Sequence, residues 1–227
     1  MQPYTEDHDH DPPLPTADEL VQSLLPSFLK LDTDGRVLRL DSFSKVVAPN
    51  SRCGWITGCA QFIERVIRHN EVSIQTASGF SQLLLYHLLV EKWGHHGFLD
   101  WLVYIRSEYT NRRNKCLANM QKYLRTDVFT WTAPAAGMFI WIKIDHTRHP
   151  DFHILGVKGV EDSIFNRALE EKVLVIPGSW FAINPLRDVF LRANFASIDL
   201  IKGEEAVQRL ARAVEKELGL YTKDGNL

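Results

Sequence analysis

The chain has 227 residues, with 26 lysines and arginines against 28 aspartates and glutamates and a formal net charge of −2. That balance offers nothing to a nucleic acid or an anionic membrane surface, and we expect neither as a partner. Hydrophobic residues make up 45% and charged residues 24%, with twelve Phe, six Trp and six Tyr, enough aromatic mass for a substantial globular core. Cys53, Cys59 and Cys116 form no CxxC pair. Their odd count argues against a disulfide framework and a zinc site and fits a reducing compartment. The opening residues resemble neither a signal nor a transit peptide, and the run LLLYHLLV is too short to span a bilayer, so a cytoplasmic protein without a metal is the expectation.

Residues 1–17 read as an acidic, proline-rich loop, and the HDHD cluster at His8 to Asp11 has no rigid element to make it a metal site. DELVQSLLPSFLKL is weakly helical and broken at Pro26. A DTDG turn then leads into a strand from Arg36, RVLRLDSF, and a second short strand follows in CGWITG. AQFIERVIRHN and SGFSQLLLYHLLVEKW read as helices, the latter with Ser78 as N-cap. A long helix runs from Gly97 to Leu124, with Phe98, Trp101, Leu102, Ile105 and Tyr109 at three- and four-residue steps. Beyond residue 126 come short strands in VFTWTA and GMFIWIKI, a helix in VEDSIFNRALEEK, strands in VLVIP and VFLRANFA, and an amphipathic helix in GEEAVQRLARAVEKEL. Strands alternating with helices indicate an α/β or α+β architecture, with the long helix as the boundary between two parts.

The connection LDSFSKVVAPNSRCGWITG carries the chemistry. The hydroxyls of Ser42 and Ser44 and the planar donor fork of Arg52 are suited to a phosphate dianion. A partly desolvated lysine beside another cation has its pKa lowered, which frees the Lys45 amine to attack a carbonyl. A phosphate-bearing aldehyde cofactor would use this set. A basic surface loop between strands is the plain alternative on these residues alone.

That segment resembles the cofactor-lysine segment of fold-type I pyridoxal-phosphate aminotransferases, in the branch of fungal aromatic aminotransferases and kynurenine/2-aminoadipate aminotransferases. SGFSQLLLYHLLVEKWG, TAPAAGMFIWIKI, EEKVLVIPGSWF and DVFLRANFA resemble later motifs of that branch in the same order. The resemblance implies a partial type I fold of α/β class. Residues 1–109 would be the C-terminal fragment of the large mixed-sheet, cofactor-binding domain, and residues 110–227 a smaller α+β domain. It implies pyridoxal 5′-phosphate as cofactor, with Lys45 bonded covalently to its aldehyde and then moving the proton at the substrate Cα. Ser42, Ser44 and Arg52 would hold the phosphate, and Arg192 would grip the substrate α-carboxylate. The implied reaction is amino transfer between an aromatic or aminoadipate-like amino acid and a 2-oxo acid, in a homodimer. Gly137 and Met138 are read either as substrate-side residues or as core strand, and Asn194 as a substrate contact or a strand cap. Trp131, Phe139, Trp141, Phe181 and Phe195 are read as core. Asn50 stands where the family usually has Gly, and asparagine tolerates positive φ there.

The resemblance covers only the C-terminal half of the family's chain. The family's aspartate for the pyridinium nitrogen, its tyrosine and asparagine near O3′ and its Gly/Ser phosphate loop have no counterpart here. Most strands of the family's large-domain sheet have no counterpart either, so the strands at 36–41 and 53–58 would have unpaired edges and an uncovered apolar face. The alternative reading is a catalytically inactive remnant, or a fragment that pairs with a full-length subunit.

Overall fold

The computed structural model describes residues 14–199 and 202–221. The HDHD cluster lies outside them, as does most of the expected N-terminal loop. The described residues divide into two compact units, the first ending at Ser107 and the second beginning at Glu108.

In the first unit, α1 (Ala17–Ser23) opens with a capping box, in which Thr16 Oγ1 accepts from the Glu19 backbone N–H and Glu19 Oε2 accepts from the Thr16 N–H. Pro26 separates α1 from a 3-10 turn at Phe28–Leu31. The strand expected from Arg36 starts only at Arg39, because the Asp32 carboxylate accepts the backbone N–H groups of Asp34, Arg36 and Val37 and holds them in a turn. β1 (Arg39–Ser42) and β2 (Gly54–Thr57) pair antiparallel, with Ser42 opposite Gly54. They make a two-stranded sheet whose faces are largely open, leaving Leu40 73% and Trp55 45% exposed.

α2 (Ala60–Val72) and α3 (Gly79–Tyr86) follow. Ser78 sits at the N-cap of α3, but its hydroxyl caps nothing, and α3 runs on as a π-helical stretch over His87–Trp93. α4 (Gly94–Tyr123) starts three residues before the expected helix. In its first part the deeply buried residues are Leu99 and Val103, while Phe98, Trp101, Leu102 and Ile105 are half-buried. Among the described residues of this unit Leu20, Leu85, Leu99 and Val103 are the buried apolar ones. Leu25, Phe28, Ile74, Phe80 and Leu83 stand exposed.

The second unit is the better packed. Its antiparallel sheet has the order β3 (Phe129–Trp131), β4 (Phe139–Ile144), β6 (Val189–Asn194), β5 (Ile176–Pro177). The expected strand VLVIP contracts to β5, since Pro177 has no N–H for a longer ladder. α5 (Phe152–Glu170) starts earlier than expected and is interrupted at Gly156, where φ is +63°. α6 (Lys202–Glu217) closes the unit.

Strand alternation sorts the side chains. Ile140, Ile142 and Ile144 of β4 and Val189 and Leu191 of β6 are buried in one core with Val160, Ile164 and Ala168 of α5 and Leu210 and Val214 of α6. Burial of each valine, leucine or isoleucine among them contributes roughly 1.5–3 kcal/mol. The intervening residues Phe139, Trp141, Phe190 and Arg192 take the opposite face of the sheet.

Candidate active site

Ser42, Ser44, Lys45 and Arg52 lie in the first unit, on the connection between β1 and β2; Arg192 lies in the second. The connection is two 3-10 turns packed on each other, Phe43–Lys45 and Pro49–Ser51. Ser42 ends β1 and caps the first turn, its Oγ accepting the Ser44 N–H at 3.1 Å. The hydroxyl of Ser42 donates to that of Ser44 at 3.0 Å, so the two oxygens point to one place. The Phe43 carbonyl accepts from Val46, Val47 and Ala48, and the Phe43 N–H donates to Cys53, which ties the loop's two ends together. From α4 the Trp101 indole donates to the Val46 carbonyl at 2.6 Å, and that indole is stacked against Trp93.

Lys45 is exposed, so the desolvation anticipated for its amine is not supplied by the described residues. Arg52 is exposed as well and follows the second turn with φ 46° and ψ 36°, a left-handed backbone rare for a residue with a side chain. Left-handed geometry therefore falls on Arg52, and Asn50, where it was anticipated, sits inside the 3-10 turn with ordinary φ. Such strain is kept where the position of a side chain matters.

Arg192 sits on the open face of the second unit's sheet, paired in register with Trp141 and Ile176. Its guanidinium carbon is 4.1 Å from the Phe139 ring centroid and 3.8 Å from that of Phe181. Its Nε is buried without a hydrogen-bond partner, and among the described residues no carboxylate pairs with it. A cation held by two aromatic rings, with donors left over, is set up to receive an anion.

The aromatic residues are only partly core. Phe195 is buried and Trp131 packs against the core, but Phe139 is half-buried, and Trp141 and Phe181 are 43% and 47% exposed. The alternation in FIWIKI carried that signal, since Phe139 and Trp141 must face away from Ile140 and Ile142. Met138 packs on the core. Asn194 caps the end of β6, its Oδ1 accepting from the Ala196 and Ser197 N–H groups and its Nδ2 donating to Ser197 Oγ.

One residue that sequence reasoning passed over is Glu161, 2% exposed on α5. Its carboxylate accepts both the N–H and the hydroxyl of Ser179, in the 3-10 turn Gly178–Phe181 that presents Phe181. Spacing with Ile164, Phe165 and Ala168 places Glu161 on the apolar side of the helix, and an acid there needs a reason. No group of three or more His, Cys, Asp or Glu suited to a metal occurs among the described residues, and no helix among them is long and apolar enough to cross a membrane.

The chain is similar to known proteins over most of its length. Residues 15–210 match the model of the aminotransferase class I and II family. The chain belongs to that family. An aromatic amino acid aminotransferase of Schizosaccharomyces pombe is 44% identical over 200 residues, covering 86% of this chain and 42% of that protein. The mitochondrial kynurenine/alpha-aminoadipate aminotransferase of Mus musculus is 36% identical over 194 residues, covering 85% of this chain and 43% of that protein. The crystal structure of aminotransferase Aro8 from Candida albicans superposes with a TM-score of 0.86 at 36% identity, over 97% of this chain and 48% of that one. The chain thus spans less than half the length of these relatives, and its fold is part of the type I pyridoxal-phosphate transferase fold.

Class I and II aminotransferases are enzymes whose cofactor is pyridoxal 5′-phosphate. The residues of this chain fit that group chemically: paired hydroxyls and a guanidinium for a phosphate, an exposed primary amine for an aldehyde, and an anion-ready arginine for an amino acid's carboxylate.

Proposed function

We propose that this chain supplies the lysine and the carboxylate-binding half of an aminotransferase site, acting on an aromatic or aminoadipate-like amino acid and a 2-oxo acid. The observation that carries the reading is Arg192, a cation gripped between Phe139 and Phe181 with no acidic partner among the described residues. A substrate carboxylate satisfies it and, through a two-point fork, sets the direction in which the Cα–H bond points.

The unit ending at Ser107 corresponds in this reading to the C-terminal piece of the cofactor-binding domain, and the rest to the small domain. When bound, pyridoxal 5′-phosphate supplies the electron sink that makes the Cα proton removable. Ser42, Ser44 and Arg52 would hold the cofactor's phosphate, and the Lys45 amine would be the group that holds its aldehyde and moves the proton at the substrate Cα. Trp101 fixes the turn bearing Lys45 through the Val46 carbonyl. Three free cysteines suit a reducing, cytoplasmic setting, and the family's habit of dimerising suggests a homodimer.

A second reading is favoured by the exposed apolar residues of the first unit, with Leu25 91%, Phe80 88% and Phe28 78% accessible. So many large apolar side chains left in solvent suit a surface for another polypeptide. On that view the chain turns nothing over alone and works, if at all, against a full-length subunit. The purified chain with added pyridoxal 5′-phosphate, phenylalanine and 2-oxoglutarate separates the two. Glutamate formation that Lys45→Ala abolishes supports a self-sufficient enzyme. No turnover alone, with turnover on mixing with a full-length family member whose own lysine has been removed, supports the second reading. No turnover in either arm rejects both the self-sufficient enzyme and the complementing fragment, and leaves the inactive remnant.

A further inference from the structure

We infer that Glu161 is a positioning residue for the carboxylate grip of Arg192, an inference that rests on the carboxylate role proposed above. The hydrogen bonds of Glu161 go to Ser179 and not to Arg192, so it acts through the turn Gly178–Phe181. Its Oε1 accepts the Ser179 N–H at 3.1 Å while its Oε2 accepts the Ser179 hydroxyl. Two bonds from one carboxylate to one residue fix both the position and the rotation of that residue. Burying an acid at 2% exposure is costly, and Lys158, whose Nζ is 3.8 Å away, is itself largely in solvent. A turn that needed only closing could be closed by a neutral side chain at lower cost. What this clamp adds is precision at Phe181, two residues on.

The sheet side of the turn is equally constrained. A Cβ on Gly178 would lie 2.6 Å from Phe190 Cβ and 2.9 Å from its carbonyl oxygen, so the turn backbone rests directly on β6. Trp180 meets Phe165 of α5 edge-on at 5.4 Å between centroids. Held from both sides, the turn delivers the Phe181 ring to 3.8 Å from the Arg192 guanidinium carbon. That contact fixes which donors of the arginine remain available. Displacing the ring by an ångström frees the guanidinium to swing, and misplacement on that scale weakens recognition by about ten-fold or more.

The isotope-labelled chain tests this directly through the Arg192 Nε–H resonance, identified by its loss in Arg192→Lys. Titrating 3-phenylpropanoate should shift that resonance in the unsubstituted chain, and the neutral 3-phenylpropanamide should not. Glu161→Leu should weaken carboxylate binding by about ten-fold. Glu161→Gln should bind nearly as the unsubstituted chain does, because the amide can still accept the Ser179 N–H and donate to its hydroxyl oxygen. Thermal unfolding of each variant confirms that titrations are made on folded protein. If Glu161→Leu does not fold, Ser179→Ala removes one bond of the clamp and should weaken binding about three-fold. Unchanged binding in a folded Glu161→Leu or in Ser179→Ala overturns the positioning role and leaves the Arg192 grip standing. Glu161→Gln as weak as Glu161→Leu overturns it too, since charge and not geometry would then be responsible. No carboxylate-dependent shift in the unsubstituted chain removes the grip itself, and the inference with it.

Discussion

The guanidinium carbon of Arg192 lies 3.8 Å from the Phe181 ring centroid, and Phe139 covers it at 4.1 Å. Two aromatic faces stabilise the cation by about 0.5–2 kcal/mol each without consuming its in-plane donors. Replacement of Arg192 by Lys keeps the charge but loses the fork and the flat stacking surface. The prediction is a carboxylate affinity reduced at least about ten-fold with the unfolding temperature nearly unchanged, read by ligand titration and calorimetry.

Gly178 is required for a different reason. Its backbone touches Phe190 so closely that Gly178→Ala must push the turn off the sheet. A loss of about 1–3 kcal/mol is expected, read as a fall in the unfolding midpoint.

Arg52 sets function against stability. Its left-handed backbone costs about 1–2 kcal/mol for a residue with a Cβ. Arg52→Gly should therefore raise the stability of the first unit while reducing retention of pyridoxal 5′-phosphate on gel filtration. A variant that gains neither stability nor a retention defect would show that the strain serves no anion.

The Trp101 bond to the Val46 carbonyl spans fifty-five positions of the chain and pins the turn next to Lys45. Trp101→Phe keeps the ring stacking and removes the donor, which should cost about 1 kcal/mol. The more telling outcome is slower modification of Lys45 by the cofactor aldehyde, followed by mass spectrometry.

Much of this was legible in the sequence. The order Ser42, Ser44, Lys45, Arg52 within one loop was enough to suggest a phosphate and an aldehyde, and periodicity placed α2, α4, α6 and the two long strands of the second sheet. Less accessible were features set by side chains acting on distant backbone. Asp32 shortened β1 by taking three N–H groups, and Pro177 reduced VLVIP to a two-residue strand. Ser78 is the N-cap of α3 as expected, and its side chain makes no capping hydrogen bond. The uncovered apolar face expected around Lys45 is present, with Leu40 and Trp55 exposed on the two strands. Nothing local in the sequence marks Glu161 as the clamp on Ser179, since the two are brought together only by tertiary packing.

The second unit also carries an acid-sensitive device. Hydrogen bonds from the Thr147 hydroxyl, helped by Arg148, hold the Asp145 carboxyl below its ordinary range. A folded-state pKa that is depressed gives stability that is complete above the unfolded value of 3.8 and is lost as pH falls through the folded value. The unfolding midpoint should thus drop as pH falls below about 4, and Asp145→Asn should flatten that slope.

In the proposed site the Lys45 amine is the one built to take a cofactor aldehyde. Borohydride reduction of the chain after incubation with stoichiometric pyridoxal 5′-phosphate, followed by peptide mapping, tests it most directly. Phosphopyridoxyl label should concentrate on Lys45, and that preference should be lost in Arg52→Gly. Label spread evenly over the exposed lysines, with Lys45 no more reactive than Lys30 or Lys92, would contradict it.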